Sequence, residues 1–186
     1  MSPVQMIKVA AVGIAILLPG VASAGTMLSA TGVTANVATR SSGPYSLSAL
    51  INQAGLATAY TSGVTDFQTY LDGSPAHDSQ TASNIWATEN NVTAGQLIFD
   101  LGSDRWIDKL ALWNRALSVQ GIKDFTLSAC DDAACASASS LGSYTATDIV
   151  GSGTDTAVLP EAFSFTTTST RYVAMNILNA YSGVVI

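Results

Sequence analysis

The stretch Gln96-Leu97-Ile98-Phe99-Asp100-Leu101 decides the fold class of this chain. Leu97, Phe99 and Leu101 alternate with the residues between them, so a period of two places the three side chains on one face. That alternation is typical of a half-buried β-strand. It recurs later in the chain, at residues 123–129 and 171–178.

Other segments complete an all-β pattern. Residues 33–39 are rich in Val, Thr and Ala, and residues 106–113 are more continuously apolar than the alternating segment at residues 96–101, which predicts a strand buried on both faces. One short helix is predicted over residues 46–54. The intervals between these segments are rich in Gly, Ser, Asp and Asn and predict turns at residues 101–104, 119–121 and 151–155. The sequence therefore predicts an antiparallel all-β sandwich.

The N-terminal segment has the composition of a secretory signal peptide. Lys8 precedes an apolar run over residues 9–18, and Ala22-Ser23-Ala24 fits the small-x-small pattern of a cleavage site. A run of about ten residues is too short for a membrane anchor, which needs roughly 20. We therefore expect residues 1–24 to be removed, leaving residues 25–186 as one secreted domain with no transmembrane span.

The composition excludes two classes of protein. The 186 residues carry 7 Lys+Arg against 13 Asp+Glu, a formal net charge of -6, and the few cations are scattered, which excludes a nucleic-acid-binding surface. The 48% apolar content excludes a disordered chain.

The only two cysteines, Cys130 and Cys135, are separated by four residues. In a secreted protein this pair predicts a disulfide that closes a short hairpin loop. Metal binding by the pair is the alternative, but the chain has no second cysteine pair and a single histidine.

An ordered series of motifs resembles the discoidin family, also called the coagulation factor 5/8 type C domain. The series covers roughly residues 45–182. It consists of Leu71-Asp72-Gly73, Trp86-Ala87-Thr88, Gln96 to Gly102, Ile107 to Arg115, Gly121 to Leu127, Ala129-Cys130-Asp131-Asp132 and Arg171 to Leu178.

The resemblance implies a galactose-binding-like jelly roll of eight strands, and binding modules for carbohydrate, cell-surface or lipid ligands that use loops at one end of the sandwich. It also implies a structural Ca²⁺ near Asp72, although the chain lacks the family's late Glu and its last strand looks absent, shortened or truncated. The twelve residues 74–85 are a longer insertion than the family usually has. The alternative for Asp72 is an ordinary turn residue before Gly73.

Sugar recognition needs an exposed aromatic face beside a few polar groups that fix hydroxyls. Loop-like stretches supply such candidates, with Tyr70, Asn84, Glu89 and Asn90 as neighbours. The candidate ligand-binding residues are Tyr60, His77, Trp86, Arg115, Tyr144 and Tyr181. The alternatives are a core position for Trp86, a solvated loop position for His77, and an ion pair with Asp124 for Arg115.

Catalysis finds no support, because the chain has no nucleophile elbow, no His-Glu-x-x-His motif and no phosphate-binding loop. We therefore expect a secreted, non-catalytic binding module that recognises carbohydrate on a cell surface or in an extracellular polysaccharide. The alternative is an extracellular structural or adhesion protein that associates through protein contacts. The sequence does not fix the oligomeric state.

Overall fold

The computed structural model describes residues 25–78, 82–115, 120–149 and 157–181. The predicted signal peptide and the predicted turn at residues 151–155 lie outside the described residues. Within them, no helix is long and apolar enough to cross a membrane.

Five strands form one antiparallel sheet in the described residues, in the order β1-β2-β5-β3-β4. Their bounds are β1 Gly32–Ala35, β2 Gly95–Leu112, β3 Asp124–Cys130, β4 Ala138–Thr145 and β5 Glu161–Ile177. The prediction of an all-β antiparallel fold is confirmed. The count of eight strands that the resemblance implied is not reached in these residues.

The two longest strands, β2 and β5, pair with each other from Gly95↔Ile177 to Leu112↔Glu161. The predicted turn at residues 101–104 is wrong, because the chain continues as a strand through a register shift between Asp100 and Arg105. Extra residues at such a shift bend the strand without ending it. A second register shift lies between Ile107 and Lys109.

The bends give the sheet two layers. The first half of β2 lies between β1 and β5, whereas the second half pairs only with β5 among the described strands. Leu110 and its cross-strand partner Phe163 pack on the same core cluster as Leu97, Leu127 and Met175. The ribbon made by the second half of β2 and the first half of β5 therefore lies over the larger part of the sheet and forms a sandwich.

A short helix covers the other side of this ribbon. Helix α1 spans Phe67–Asp72, and the Asp66 side chain caps it by accepting from the Thr69 N–H at 2.8 Å. Its Phe67 and Tyr70 form a second apolar cluster with Met27, against which Ala111 of β2 and Trp113, the residue after the strand, pack. The sequence analysis missed this helix. Of the predicted helix at residues 46–54, a 3₁₀ turn forms at Leu47–Leu50 with Ser46 as its cap.

The cover stops before the start of the ribbon, and the prediction that residues 106–113 are buried on both faces is wrong. Trp106 is 75% exposed, and the positions from Ile107 to Leu112 are only half-buried. The physical reason is that this stretch has one neighbouring strand in the described sheet.

The predicted disulfide is confirmed. Cys130 ends β3 and is bonded to Cys135, three residues before β4 begins. The bond closes the loop of the β3–β4 hairpin, as expected from the spacing.

Candidate functional site

A cavity of about 350 Å³ lies inside the sandwich and collects part of the predicted site. Its wall is mostly apolar, with side chains of β2 and β5. Four of the six predicted ligand residues line it, namely Tyr60, His77, Trp86 and Arg115. A mostly apolar cavity with a few convergent polar groups is the usual form of a small-ligand site.

Asn114 positions Arg115 at the end of this cavity. Its side chain is 5% exposed, and its Oδ1 accepts from the backbone N–H groups of Arg115 at 3.0 Å and Ile122 at 2.9 Å. Its Nδ2 donates to the Ile122 carbonyl at 2.7 Å. Gly121, at a φ of 121°, leaves room for this amide, since a Cβ there would lie 2.9 Å from Asn114 Oδ1. The amide thus holds together the two ends of the loop that begins at Arg115.

The guanidinium of Arg115 is poorly satisfied. It is half-buried and hydrogen-bonded to the Tyr45 side chain, and burial lowers the pKa of Arg115. Its Nε and Nη1 are buried and have no hydrogen-bond partner among the residues that the structure describes. Arg40 lies near the same tyrosine, with its guanidinium carbon 5.7 Å from the ring centroid, and adds a second positive charge.

The alternative that Arg115 pairs with Asp124 is wrong. Asp124 Oδ1 accepts from the Thr145 hydroxyl at 2.6 Å, and its Oδ2 accepts from Asn179 Nδ2 at 2.9 Å. The cation near this carboxylate is Lys123, at 4.0 Å. No ion pair of Arg115 is found among the described residues.

Backbone hydrogen bonds fix His77 in the cavity wall. Its N–H donates to the Val158 carbonyl at 2.8 Å, and the Val158 N–H donates back at 2.9 Å. The imidazole lies against Gly55, where a Cβ would be 2.7 Å from Cε1, so only glycine fits; its φ is 87°. The solvated-loop alternative is wrong, since His77 is half-buried and lines the cavity. This burial lowers the pKa of His77 and favours the neutral imidazole.

Two of the lining aromatic rings do not present an open face. Trp86 is 8% exposed, belongs to the core cluster, and donates from Nε1 to Thr39 Oγ1 at 2.9 Å. The interpretation of Trp86 as an exposed platform is therefore wrong, and the core alternative is confirmed. Tyr60 is half-buried, with its ring edge-on to Tyr70 at 5.4 Å and its hydroxyl accepting from Ser29 at 2.9 Å.

Tyr144 and Tyr181 lie away from the cavity. Tyr144 was expected in a loop but lies in β4, where its ring packs against Phe125 and Phe163 at 5.5 and 5.4 Å. The hydroxyl of Tyr181 donates to the Ala146 carbonyl, and burial raises its pKa. Both rings therefore act in packing in this structure.

The calcium site that the resemblance implied rests on Asp72 alone among the carboxylates. Asp72 ends α1 and is exposed, and its Oδ1 accepts from Gln68 Nε2 at 2.8 Å. Among the described residues, no three His, Cys, Asp or Glu side chains converge on one point. A cation at Asp72 would need most of its 6–8 oxygens from carbonyls and water. Calcium binding stays a prediction.

Sequence reasoning missed two residues of the site. Tyr45 was not singled out, because nothing local relates it to Arg115, 70 positions later. Asn114 carries a signal that points to its role, an Asn that directly follows a strand and precedes a glycine turn. Of the polar neighbours that were named, Asn84 lines the cavity, whereas Glu89 accepts from the Ser41 N–H at 2.7 Å.

Comparisons with known proteins support the fold. No family model matches the chain, and no curated protein matches it. Among solved structures it is similar to chitosan-binding module 1 of a chitosanase/glucanase from Paenibacillus sp. IK-5, with 15% identity and a TM-score of 0.51 over 84% of this chain and 88% of that one. It is also similar to CpGH89CBM32-5 from Clostridium perfringens, in complex with GalNAc-β-1,3-galactose, with 16% identity and a TM-score of 0.50 over 82% and 87% of the two chains. At this level of identity the likeness concerns the fold, and the chain has the galactose-binding-like β-sandwich fold.

Proposed function

We propose that this chain is a non-catalytic, extracellular carbohydrate-binding module whose saccharide binds at the cavity beside Arg115. The observation that carries the proposal is the convergence of His77, Asn84 and Arg115 on one cavity. The solved structures with the same fold include a chitosan-binding module and a complex with GalNAc-β-1,3-galactose, which support a saccharide as the ligand class.

Arg115 supplies the donors for this ligand. Its Nε and Nη1 carry N–H groups that are buried without a partner, and such groups cost free energy until an acceptor reaches them. A saccharide hydroxyl or ring oxygen that enters the cavity would accept from them. Because the unpaired donors are already desolvated, the gain on binding is larger than for an arginine in water.

His77 and Asn84 supply the complementary polar groups. The neutral imidazole favoured by burial has one donor and one acceptor nitrogen, and the Asn84 side chain has both functions as well. Groups of this kind match sugar hydroxyls, which donate and accept. The lining therefore suits a hydroxyl-bearing ligand better than a purely anionic one.

Extracellular action is supported by the predicted signal peptide over residues 1–24 and by the Cys130–Cys135 disulfide. Disulfides of this kind persist in oxidising compartments.

The test is retention of the mature chain, residues 25–186, on chitosan and on immobilised GalNAc-β-1,3-galactose, with and without Ca²⁺. The variant Arg115→Met keeps the apolar stem and removes the donors, so we expect affinity to fall roughly ten- to a hundredfold. Lys123→Met is the matched control, because Lys123 lies beside Tyr181 outside the cavity. The proposal is contradicted if Arg115→Met is retained as well as wild type. It is also contradicted if wild type is retained on no glycan of a broader array.

A second candidate function is association through a sheet edge. Strand β4 is an outer strand of the described sheet, and an unpaired edge is a template for pairing with another chain. Light scattering across concentrations tests this alternative, and a strict monomer counts against it. The exposed positions of β4 are mainly serines, which disfavours a large apolar interface.

A further inference from the structure

Trp106 is the feature that the proposed site does not use. Its side chain is 75% exposed, more than any other large apolar residue of the described chain, of which the next is Val64 at 71%. An indole left in water forfeits the free energy that its burial would contribute. A single exposed apolar side chain is ordinary, so the surroundings of the ring decide whether it belongs to a contact surface.

The backbone around Trp106 is built to hold it. Only three residue pairs, Arg105↔Thr170, Trp106↔Ser169 and Ile107↔Thr168, connect the strands between the two register shifts of β2 and β5. Register shifts of this type re-aim side chains and recur beside binding sites.

An ion pair fixes the first of these shifts. Arg171 donates to Asp100 through Nε at 2.8 Å and through Nη2 at 3.0 Å, and Asp100 Oδ1 also accepts from the Gly102 N–H at 2.7 Å. Gly102 has a φ of 82°, which a glycine adopts without strain. The bend before Trp106 is therefore held by side-chain contacts as well as by the backbone hydrogen bonds between β2 and β5.

Trp106, Asp108 and Leu110 of β2 all line the cavity. Trp106 thus extends the cavity wall into solvent, with the Asp108 carboxylate two residues further on, about 7 Å along the strand. The Asp108 carboxylate pairs with Lys109 Nζ at 3.6 Å and is 42% exposed, so an entering hydroxyl can reach it.

The charges around the ring balance. Asp104 and Arg105 precede Trp106, Asp108 and Lys109 follow it, and the residue opposite is Ser169. A polyanion gains nothing at such a surface, and the charged rim disfavours insertion into a lipid bilayer. A neutral sugar ring, which has an apolar C–H face and hydroxyl edges, fits both the indole and its rim.

We propose that Trp106 is the platform of a second saccharide subsite, on which a neutral pyranose stacks while its hydroxyls contact Asp108 and Ser169. The subsite lies well apart from Arg115, because the strand from Trp106 to Leu112 alone covers about 20 Å. One polysaccharide chain engages both subsites, and linked sites raise avidity without any new contact. The inference shares the ligand class of the proposed function but rests on different residues.

The experiment compares the mature wild type with Trp106→Ala, Trp106→Phe, Arg115→Met and Val64→Ala. Retention of each variant is measured on chitin, cellulose and agarose beads. Acrylamide quenching of tryptophan fluorescence is then measured with and without N-acetylglucosamine hexasaccharide. It is repeated with the soluble oligosaccharide of any other bead that retains the protein. Trp106→Ala should lower retention roughly tenfold, Trp106→Phe should lower it less, and Val64→Ala, equally exposed, should leave it unchanged. In wild type, the oligosaccharide should shield the quenchable fluorescence that Trp106→Phe removes.

The outcomes separate the two proposals. Retention that falls in Arg115→Met but not in Trp106→Ala, with unchanged quenching, overturns the Trp106 subsite and leaves the proposed function standing. Retention that falls only in Trp106→Ala supports the subsite and overturns the site at Arg115. Absence of retention and of shielding on every bead, or binding of wild type to phosphatidylcholine vesicles or to a second copy of itself through Trp106, overturns the subsite.

Discussion

Both halves of strand β2 carry several large apolar side chains, but the surroundings of these side chains differ. In the first half, Leu97 lies between β1 and β5 and is 1% exposed. In the second half, Leu110 faces the cavity from a ribbon with one neighbouring strand and is half-buried. The comparison teaches that one strand can be buried to different degrees along its length, because its first half has a strand on each side and its second half has one, although both halves line the cavity.

The largest expected effect comes from truncating the two leucines. Leu97→Ala should lower the free energy of unfolding by about 3–5 kcal/mol, since it leaves a void in a packed core. Leu110→Ala should cost only about 1–2 kcal/mol, because Leu110 is half-buried and its truncation removes less buried apolar surface. Urea denaturation of both variants measures the difference, and equal losses would break the comparison.

The sequence pattern predicted the burial of the first half of β2 better than the burial of the second half. The alternation around Leu97 and the strand at residues 123–129 reappear in β2 and β3, because burial of one face imposes a period of two. The apolar segment at residues 106–113 led to the wrong prediction that both of its faces are buried. Apolar composition indicates that a segment is buried, but not which neighbouring element buries it. Trp106 lies beyond the cover of α1, and that cover depends on contacts distant in the sequence.

The sequence predicted which types of residue form the site, but not how these residues are arranged in space. Arg115 and His77 were chosen as polar groups in loops, and both line the cavity. Tyr144 and Tyr181 were chosen as aromatic rings in loop-like stretches. Instead, Tyr144 packs against Phe163 and Tyr181 donates to the Ala146 carbonyl, because strand ends and such partners are not visible in local sequence.

Removing the disulfide should have a smaller effect. Cys130→Ser with Cys135→Ser should lower the free energy of unfolding by about 2 kcal/mol, the entropic value of a loop this short. Binding to glycans should be unchanged, because neither the two cysteines nor the loop between them lines the cavity. Thermal unfolding and bead retention of the double variant test the two statements, and a loss of retention at a temperature where the variant is folded would contradict the second.

Gly55→Ala tests the wall that holds His77. A Cβ would meet the imidazole at 2.7 Å and alanine disfavours a φ of 87°, so we expect a loss of about 1–2 kcal/mol and a displaced His77. Gly63→Ala is the matched control, because Gly63 also has a positive φ, of 75°, but has nothing within 4 Å of a Cβ. Equal saccharide affinity in both variants would mean that His77 does not contact the ligand.

The smallest effect is a pH dependence of stability. Burial lowers the pKa of His77 below its ordinary value of 6.5, so the unfolded chain binds a proton more readily than the folded chain. This contribution to stability is full above about pH 6.5 and is lost as the pH falls below that value. Denaturation at pH 7.5 and pH 5.5 should show a decline in wild type that His77→Gln abolishes, whereas an equal decline in both would assign it to other groups.

The most direct test of the central claim observes Arg115 itself. In a ¹H–¹⁵N NMR titration of the mature chain with an oligosaccharide that it retains, the side-chain Nε–H signal of Arg115 should shift together with the backbone signals of Asn114 and His77. Those of Tyr144 and Tyr181 should stay in place. Shifts confined to Tyr181 and Ala146, with the Arg115 signal unmoved at saturation, would contradict the account.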